Sequence, residues 1–528
     1  MFEAELWHKA IRLFDGNRVL QPWPGRGDIM TVLSVVVCAA TGFLVAWALI
    51  PVILEVCRRA RGERRDFCFH HTEKAPVPRF GGIALAGGFT AVVLAAFYFS
   101  EGGVSREMLT VLGCSLAMFG LGVLDDLRPI GARMKLLGQI AIAGVMAMGG
   151  SSIEVVTNPF TGIGYNIGLW GVVATVLWLV ALTNLINIID GIDGLAGGIS
   201  LMLMVLLVHA SLGGSSFLLL LAVGMIGALV GFLYFNFPPA RIYMGDGGAY
   251  FLGFLIGGLT LVTSQKGTVA AALVAPVFAL ALPILDVGLA IVRRGIKGLP
   301  VFRPDRRHIH HRLVEFGFSH RRTLLTLYVL STLFLLMAFG VFWSQGRLVP
   351  LFLGLSFLVV IYVVHSFGLV SSKYSLRTFW RDMQSIRRET RYTMLLAQWL
   401  EMEAERCQSP CELWENFVFF ANKLELAEVK LCLRGGQLVW QAPVQPPATA
   451  EMERKHHDFH GSTITGIELA VRKGVMSPKL FEMKSELAAE AWFKAATRWK
   501  ATNRADIELA TDSQRLVAVR TVATRVVA

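Results

Sequence analysis

Long apolar stretches separated by short polar loops dominate roughly the first two thirds of the chain. Eleven of them reach about 17–25 residues, the length that an α-helix needs to cross about 30 Å of hydrocarbon. They lie near residues 29–54, 81–99, 108–124, 134–150, 168–186, 195–212, 216–235, 248–263, 268–292, 323–344 and 348–370. The pattern predicts an all-α polytopic membrane protein of about eleven transmembrane helices. The first stretch is too long for a cleaved signal peptide, so we expect it to be retained.

The apolar stretches stop after about Ser371, and a polar segment of mixed charge follows. We therefore predict three parts: an N-terminal extracytoplasmic segment, a transmembrane catalytic domain and a soluble C-terminal α+β cytoplasmic domain. Their bounds are 1–28, 29–371 and 372–528. In the last part the pattern indicates helices over 376–405 and 478–500, a hairpin of 429–433 with 437–441, and a strand over 462–472.

Composition supports a membrane location, and charge gives an orientation. The chain of 528 residues is 54% hydrophobic and only 17% charged, which is too apolar for a soluble protein of this size. Its net charge of +12 is concentrated in alternate loops, above all 57–80 and 293–322. The positive-inside rule makes these loops cytoplasmic, with the N-terminus outside and the C-terminus inside. The basic excess thus reports topology and does not indicate a nucleic-acid partner.

The cysteines do not predict a metal site. The seven are scattered, and the one close pair, Cys407 with Cys411, has no second pair to complete a zinc site. We expect free thiols in a reducing compartment.

Most acids of the apolar region fall in four short segments at the predicted cytoplasmic ends of helices. The segments end or begin with Asp125-Asp126, Asn187 to Asp193, Asn236 to Gly248, and Asp305 to Arg312. A carboxylate at the edge of hydrocarbon costs a few kcal/mol unless water, a cation or a partner stabilises it. Carboxylate oxygens suit Mg²⁺, which typically binds through one or two carboxylates plus substrate phosphates. The segments therefore predict one shared site for a phosphate ester.

Each segment alone also has an ordinary structural explanation. Asp125 and Asp126 could be a helix-end pair in the headgroup region, and Gly197 with Gly198 could allow close helix packing. The glycines around Asp246 could form a tight turn. The histidines of 308–311 could be a solvated face or a zinc site, although no Cys or Glu stands at ligand spacing. All four explanations holding together is less plausible than one shared site.

Taken in order, these segments resemble the polyprenyl-phosphate N-acetylhexosamine-1-phosphate transferase family. The resemblance runs from Lys74-Ala75-Pro76 to about Arg322, roughly half of the chain. The form of 307–312, Arg-His-Ile-His-His-Arg, looks like the branch that starts cell-surface polysaccharides with undecaprenyl-phosphate GlcNAc-1-phosphate transfer. The peptidoglycan branch, which transfers phospho-MurNAc-pentapeptide, usually has three consecutive histidines there. The soluble segment after Ser371 has no counterpart in the minimal family pattern.

The resemblance implies roles residue by residue. Asp246 would be the principal magnesium ligand, with Asp190 as a second, and Asp125 and Asp126 would be catalytic residues at the reacting phosphates. Substrate contacts would come from Lys74, Arg79, Asn187, Asp193, Asn236, His308, His310 and His311. The implied cofactor is Mg²⁺, with Mn²⁺ as an alternative. The implied partners are a UDP-N-acetylhexosamine, polyprenyl phosphate and the lipid of a bacterial inner membrane. A homodimer is left open.

The charges of the reactants limit the mechanism. An anionic lipid phosphate must attack an anionic diphosphate, so Mg²⁺, helped by Arg and Lys, has to offset the repulsion. We also expect Mg²⁺ and basic residues such as Lys135 or Arg79 to compensate the adjacent carboxylates of Asp125 and Asp126. A phosphate monoester has a second pKa near 6 and is already mostly ionised at neutral pH. This favours direct displacement, with Asp125 or Asp126 as base, over a covalent intermediate on either residue. A secondary transporter is the alternative from another class, but its acids usually lie near the bilayer midplane.

Overall fold

A computed structural model describes residues 27–60, 77–100, 104–157, 164–212, 215–264, 276–297, 313–314, 317–344, 348–366, 376–433, 436–442, 451–459 and 464–503. The chain forms two compact units. Among the described residues, the first contains those of 27–60, 77–287 and 313–364, and the second contains those of 288–297 and 365–503. Of the predicted site residues, Lys74, His308, His310 and His311 lie outside the described residues, as do residues 1–26 of the predicted N-terminal segment 1–28.

Each of the eleven apolar stretches contains a helix. The helices are α1 (Gly27–Ala60), α2 (Gly81–Phe99), α3 (Arg106–Leu127), α4 (Ala132–Met148), α5 (Trp170–Ile189), α6 (Leu195–Ser211), α7 (Ser216–Asn236), α8 (Gly245–Ser264), α9 (Ala281–Lys297), α10 (His320–Trp343) and α11 (Val349–Ser366). In the described residues, seven are long and apolar enough to cross a membrane: α1, α2, α3, α5, α7, α8 and α10. The chain is thus a multi-pass membrane protein, and the count of eleven crossings stays a prediction.

The first unit is built around α8. Almost all of α8 is buried, and it packs against α2, α3, α5 and α6, while α7 packs against α1, α2 and α6. A two-stranded antiparallel ribbon, β1 (Val155–Thr157) with β2 (Gly164–Asn166), precedes α5. The sequence did not predict this ribbon, because three-residue strands carry too few positions for a period-2 pattern.

Small residues let the helices around α8 approach closely. A methyl group added at Gly122 of α3 would lie 2.5 Å from the α-carbon of Gly247, and one added at Gly82 of α2 would lie 2.6 Å from that of Gly248. Both distances are too short for any real contact. Glycine at these positions therefore allows the backbones of α2 and α3 to touch the first turn of α8.

The second unit is α+β in its described residues, as predicted. Its helices are α12 (Leu376–Glu403), α13 (Pro410–Lys423) and α14 (Pro478–Asn503), and its strands are β3 (Glu428–Leu433), β4 (Gly436–Gln441), β5 (Met452–Asp458) and β6 (Ile464–Arg472). The strands form an antiparallel sheet in the order β4-β3-β6-β5. One sheet face packs on an aromatic core that includes Phe417 and Trp492. The domain bounds predicted from sequence remain predictions.

Candidate active site

The first turn of α8 is held by a carboxylate from another helix. The backbone N–H groups of Asp246 and Gly247 donate to Oδ1 and Oδ2 of Asp126, at 3.0 and 2.9 Å. The first amides of a helix lack partners within the helix, and the positive end of the helix dipole favours an anion. Asp126, at the end of α3, thus supplies the cap that the residue before α8 cannot, since that residue is Met244.

The starts of α2 and α8 are joined by backbone hydrogen bonds. Tyr243 N donates to Pro78 O at 2.8 Å, and Gly81 N and Gly82 N donate to the carbonyls of Tyr243 and Met244, each at 2.9 Å. Gly245 adopts a left-handed φ of +75°, and a side chain there would overlap the carbonyl of Arg79. Gly245, Gly247 and Gly248 therefore belong to the first turn of α8 and not to a separate tight turn, and the close packing at Gly245 fixes the position of Asp246.

Lys135 lies between two of the predicted site carboxylates. Its Nζ pairs with Oδ2 of Asp125 and lies 3.4 Å from Oδ2 of Asp246. Asp125 is nearly buried and its Oδ1 also accepts the Ile130 N–H at 2.8 Å, whereas the Asp246 side chain is 30% exposed. The Tyr250 hydroxyl donates to Asp246 Oδ2 at 3.4 Å. Asp246 is consequently the carboxylate of this group that is most open to a ligand.

Asp190, at the C-terminal end of α5, belongs to the same electrostatic cluster. Desolvation, followed by the negative charges of Asp246 and Asp126, raises the pKa of Asp190 well above its ordinary value, while the positive charge of Arg79 acts in the opposite direction. Arg79 itself is exposed. Five carboxylates, those of Asp125, Asp126, Asp190, Asp193 and Asp246, are thus linked by their charges, with the cations Lys135 and Arg79 close enough to act on them.

Asp193 and Asn236 connect two loops of the site. Asp193 Oδ2 accepts the Ala240 N–H at 2.9 Å. The Asn236 side chain is 2% exposed; its Oδ1 accepts the Gly194 N–H at 2.9 Å and its Nδ2 donates to Ile242 O at 2.8 Å. Asn236 therefore has a structural role, which the sequence did not predict. Its proposed nucleotide contact stays a prediction, and so does that of Asn187, which is partly buried in the last turn of α5.

Three residues with a place in this arrangement were missed by sequence reasoning. Tyr250 on α8 donates to Asp246. On α10, Arg321 donates to Pro238 O and Tyr328 donates to Gly194 O. Tyr250 stands four residues after Asp246, one helical turn away, and that spacing was a usable signal. Nothing in the sequence connects α10 to residue 194, because the contact spans more than 130 positions.

The donor set suits a hard cation bound together with substrate. The described residues hold no group of three or more His, Cys, Asp or Glu side chains arranged as a complete metal cage. Mg²⁺ does not need one, since it usually binds through one or two carboxylates plus phosphate oxygens. The Lys135 ammonium lies between the carboxylate oxygens of Asp125 and Asp246, so these oxygens already interact with a positive charge. The residues present therefore fit Mg²⁺.

Comparison with known proteins decides the family. The family model described as "Glycosyl transferase family 4" matches residues 108–264. A "Probable undecaprenyl-phosphate N-acetylglucosaminyl 1-phosphate transferase" of Bacillus subtilis is 35% identical over 302 residues, covering 56% of this chain and 82% of that protein. The chain belongs to the polyprenyl-phosphate N-acetylhexosamine-1-phosphate transferase family. The resemblance stated from the motifs is confirmed.

Other relatives of this transferase come from two branches. A "Decaprenyl-phosphate N-acetylglucosaminephosphotransferase" of Mycobacterium tuberculosis is 32% identical, covering 48% of this chain and 69% of that protein. A "Phospho-N-acetylmuramoyl-pentapeptide-transferase" of Desulforudis audaxviator is 31% identical, covering 57% of this chain and 96% of that protein. The family match spans α3 to α8 and so includes Asp125, Asp126, Asp190, Asp193 and Asp246. It ends before α10 and the second unit.

Proposed function

We propose that this transferase moves N-acetylglucosamine 1-phosphate from UDP-GlcNAc to undecaprenyl phosphate and releases UMP. The observation that carries the proposal is the group formed by Asp125, Lys135 and Asp246 at the start of α8, inside the region that matches the family. The Bacillus relative is named for this sugar and this lipid. The positive-inside distribution of Arg and Lys supports a site on the cytoplasmic face of a bacterial inner membrane.

Magnesium would be held by Asp246, with Asp190 as the second carboxylate. Asp246 is the more open of the two acids that Lys135 contacts, and Asp190 lies in the same electrostatic cluster. When bound, the ion would offset the charge of the diphosphate and stabilise the departing UMP. Lys135 would contribute a second positive charge at the same place, which accounts for an ammonium group between two carboxylates.

The reaction is a displacement at phosphorus. A phosphate oxygen of the lipid forms a bond to the β-phosphorus of the UDP-sugar, and the bond from that phosphorus to the bridging oxygen breaks. The electron pair leaves with UMP. Asp125 would accept the residual proton of the lipid phosphate, since its partner Lys135 also contacts Asp246, the proposed metal ligand, whereas Asp126 caps the start of α8. This assigns the base role to Asp125 and a positioning role to Asp126.

A second candidate donor is UDP-MurNAc-pentapeptide. The Desulforudis relative, which this chain covers almost completely, is named for phospho-MurNAc-pentapeptide transfer. The interrupted histidine motif of 307–312 favours the GlcNAc branch. The two donors share the UDP group and differ at the sugar, so a direct competition distinguishes them.

The decisive experiment measures UMP release by the purified protein in detergent. We expect release from UDP-GlcNAc that requires both undecaprenyl phosphate and Mg²⁺, and a phosphosugar lipid as the co-product. Asp246→Asn provides the inactive control in the same detergent. Turnover with UDP-MurNAc-pentapeptide and none with UDP-GlcNAc would move the protein to the peptidoglycan branch. No UMP release from either donor would contradict transferase function.

A further inference from the structure

Helix α10 makes two side-chain hydrogen bonds to the loops that carry the donor-side residues. The Tyr328 hydroxyl donates to Gly194 O at 2.6 Å, and Arg321 Nε donates to Pro238 O at 2.9 Å. Gly194 follows Asp193 directly, and Pro238 lies in the loop whose Ala240 N–H donates to that aspartate. One helix outside the region that matches the family therefore contacts both loops.

Gly194 is fixed from two sides. Its N–H donates to Asn236 Oδ1, and its carbonyl accepts from both the Tyr328 hydroxyl and the Gly198 N–H, the latter at 2.9 Å. Its φ of +79° is a left-handed value that favours glycine. An added methyl group at Gly198 would overlap the Tyr328 hydroxyl, so glycine there gives the tyrosine room to reach the carbonyl.

We infer that Tyr328 and Arg321 are positioning residues that set the donor half of the site. The inference rests on the proposed function, in which Asp190 helps to hold the metal, and on the substrate contact that the family resemblance implies for Asp193. Both aspartates lie in the turn that ends at Gly194. Tyr328 fixes that turn directly, and Arg321 fixes the neighbouring loop that is bonded to Asp193. Neither residue needs to touch the substrate.

The acceptor half of the site has separate supports. Asp125 is held by Lys135 and by the Ile130 N–H, and Asp126 is held by the start of α8. None of these contacts involves α10. Weakening the α10 contacts should therefore change the interaction with UDP-GlcNAc and leave that with undecaprenyl phosphate unchanged. A general loss of folding would change both.

The first test replaces Tyr328 by Phe, which removes the hydroxyl and keeps the ring. The Gly194 carbonyl keeps its bond to Gly198, so the fold is retained while the turn loses one restraint. A lost neutral hydrogen bond of about 1 kcal/mol corresponds to about a fivefold rise in the KM and Kd for UDP-GlcNAc. The KM for undecaprenyl phosphate should stay within experimental error. Titration calorimetry with UDP-GlcNAc gives the Kd without turnover.

The matched control is Thr332→Val on the same helix. The Thr332 hydroxyl donates only to Tyr328 O within α10. Its removal should leave both KM values at the wild-type level.

A second experiment compares Arg321→Gln with Arg322→Gln, because each variant removes one positive charge and the two positions are adjacent and exposed. Only the first should raise the KM for UDP-GlcNAc, by a similar factor.

The outcomes separate this inference from the proposed function. Wild-type turnover together with an unchanged Kd and KM for UDP-GlcNAc in Tyr328→Phe would overturn the positioning role alone. Equal rises in both KM values would also overturn it, since they indicate a general structural defect. Absence of wild-type transfer with any UDP-sugar would overturn the proposed function, and the inference would fall with it.

Discussion

Two clusters of charged side chains, one in each unit, differ in balance. On the sheet of the second unit, Glu428 and Glu468 each pair with both Lys430 and Arg454, at 2.8–3.5 Å. At the start of α8, five aspartates are linked by their charges and the cations acting on them are Lys135 and Arg79. The first cluster therefore has two acids for two bases, and the second has five acids for two.

The two clusters shift the pKa values of their carboxyl groups in opposite directions. The hydrogen bond from Arg454 lowers the pKa of Glu468, so the ionised form is favoured by its surroundings. Desolvation and neighbouring carboxylates raise the pKa of Asp190, so its ionised form is disfavoured until positive charge arrives. The balanced cluster needs no ligand. The unbalanced one is suited to a cation and to a substrate that brings the cation with it.

The largest expected effect comes from removing the open carboxylate of the unbalanced cluster. Asp246→Ala should lower kcat by at least about a hundredfold, because it removes a proposed metal ligand without removing any core packing. The protein should remain folded and inserted, which thermal unfolding in detergent checks. Glu468→Gln is the control from the balanced cluster, and it should keep wild-type transfer. Full activity of Asp246→Ala at saturating Mg²⁺ would contradict the metal assignment.

The loss expected for Asp125→Asn depends on pH, and at high pH it should be smaller than that of Asp246→Ala. If Asp125 acts as a base, its removal lowers the rate by about 10²–10⁴-fold at low pH. The loss should shrink as the pH rises through about 6 to 8, because the lipid phosphate then ionises unaided. The pH profile of kcat measures this recovery against that of wild type. Inactivity at every pH, together with a stoichiometric phosphosugar adduct on wild-type enzyme without lipid, would establish a covalent nucleophile instead.

Breaking the balanced cluster should change stability and leave catalysis intact. Arg454→Gln removes a partner of the nearly buried Glu428, at an expected cost of about 1 kcal/mol at pH 7. Hydrogen exchange of the β3 and β6 amides in the full-length protein measures it. Lys473→Gln breaks an exposed pair with Glu451 and should have no measurable effect on the same amides. Equal effects of the two variants would mean that the sheet cluster is no more than a surface feature.

The smallest expected effect is a loss of stability of the second unit at low pH. The pKa of Glu468 is lowered in the folded state, so its contribution to stability is present above its ordinary value of 4.5 and is lost as the pH falls through the folded value. Stability of the second unit should therefore decline below about pH 4.5, and the decline should be shallower in Arg454→Gln. Exchange rates of the β6 amides across this range test the slope. An identical slope in both proteins would contradict the pairing.

The positions of the helices were largely predictable because apolar length is a local property. The predicted stretches and the observed helices of the first unit mostly agree within three residues, and the hairpin of 429–433 with 437–441 is confirmed as β3 and β4. The strand β5 and the helix α13 were missed. For α13 a signal existed, since Ser409 caps the helix, Pro410 occupies its first turn and Glu412 stands three residues after Ser409.

The candidate site was predictable as a set of residues and in part as a division of roles. The expected compensation of an adjacent aspartate by Lys135 is confirmed for Asp125, whereas the cap that Asp126 provides for α8 was not predicted. Asn236 was predicted as a substrate contact, which stays a prediction, but its hydrogen bonds to Gly194 and Ile242 were not predicted. The cap on α8 joins residues that are 120 positions apart, and the Gly194–Asn236 hydrogen bond joins residues that are 42 apart. A sequence motif identifies the residues of the site, and only the structure shows which of their atoms form each contact.

The backbone pairing of α2 with the segment before α8 has a consequence for biosynthesis. The N–H groups of Gly81 and Gly82 cannot form their hydrogen bonds until Tyr243 and Met244, about 160 residues further along the chain, have been synthesised. At about 5–20 residues per second, translation needs roughly ten to thirty seconds to supply them. Until then α2 lacks this backbone pairing, and Asp126, which precedes Asp246 by 120 positions, has no helix to cap. The carboxylate site can therefore form only after the first turn of α8 has been synthesised.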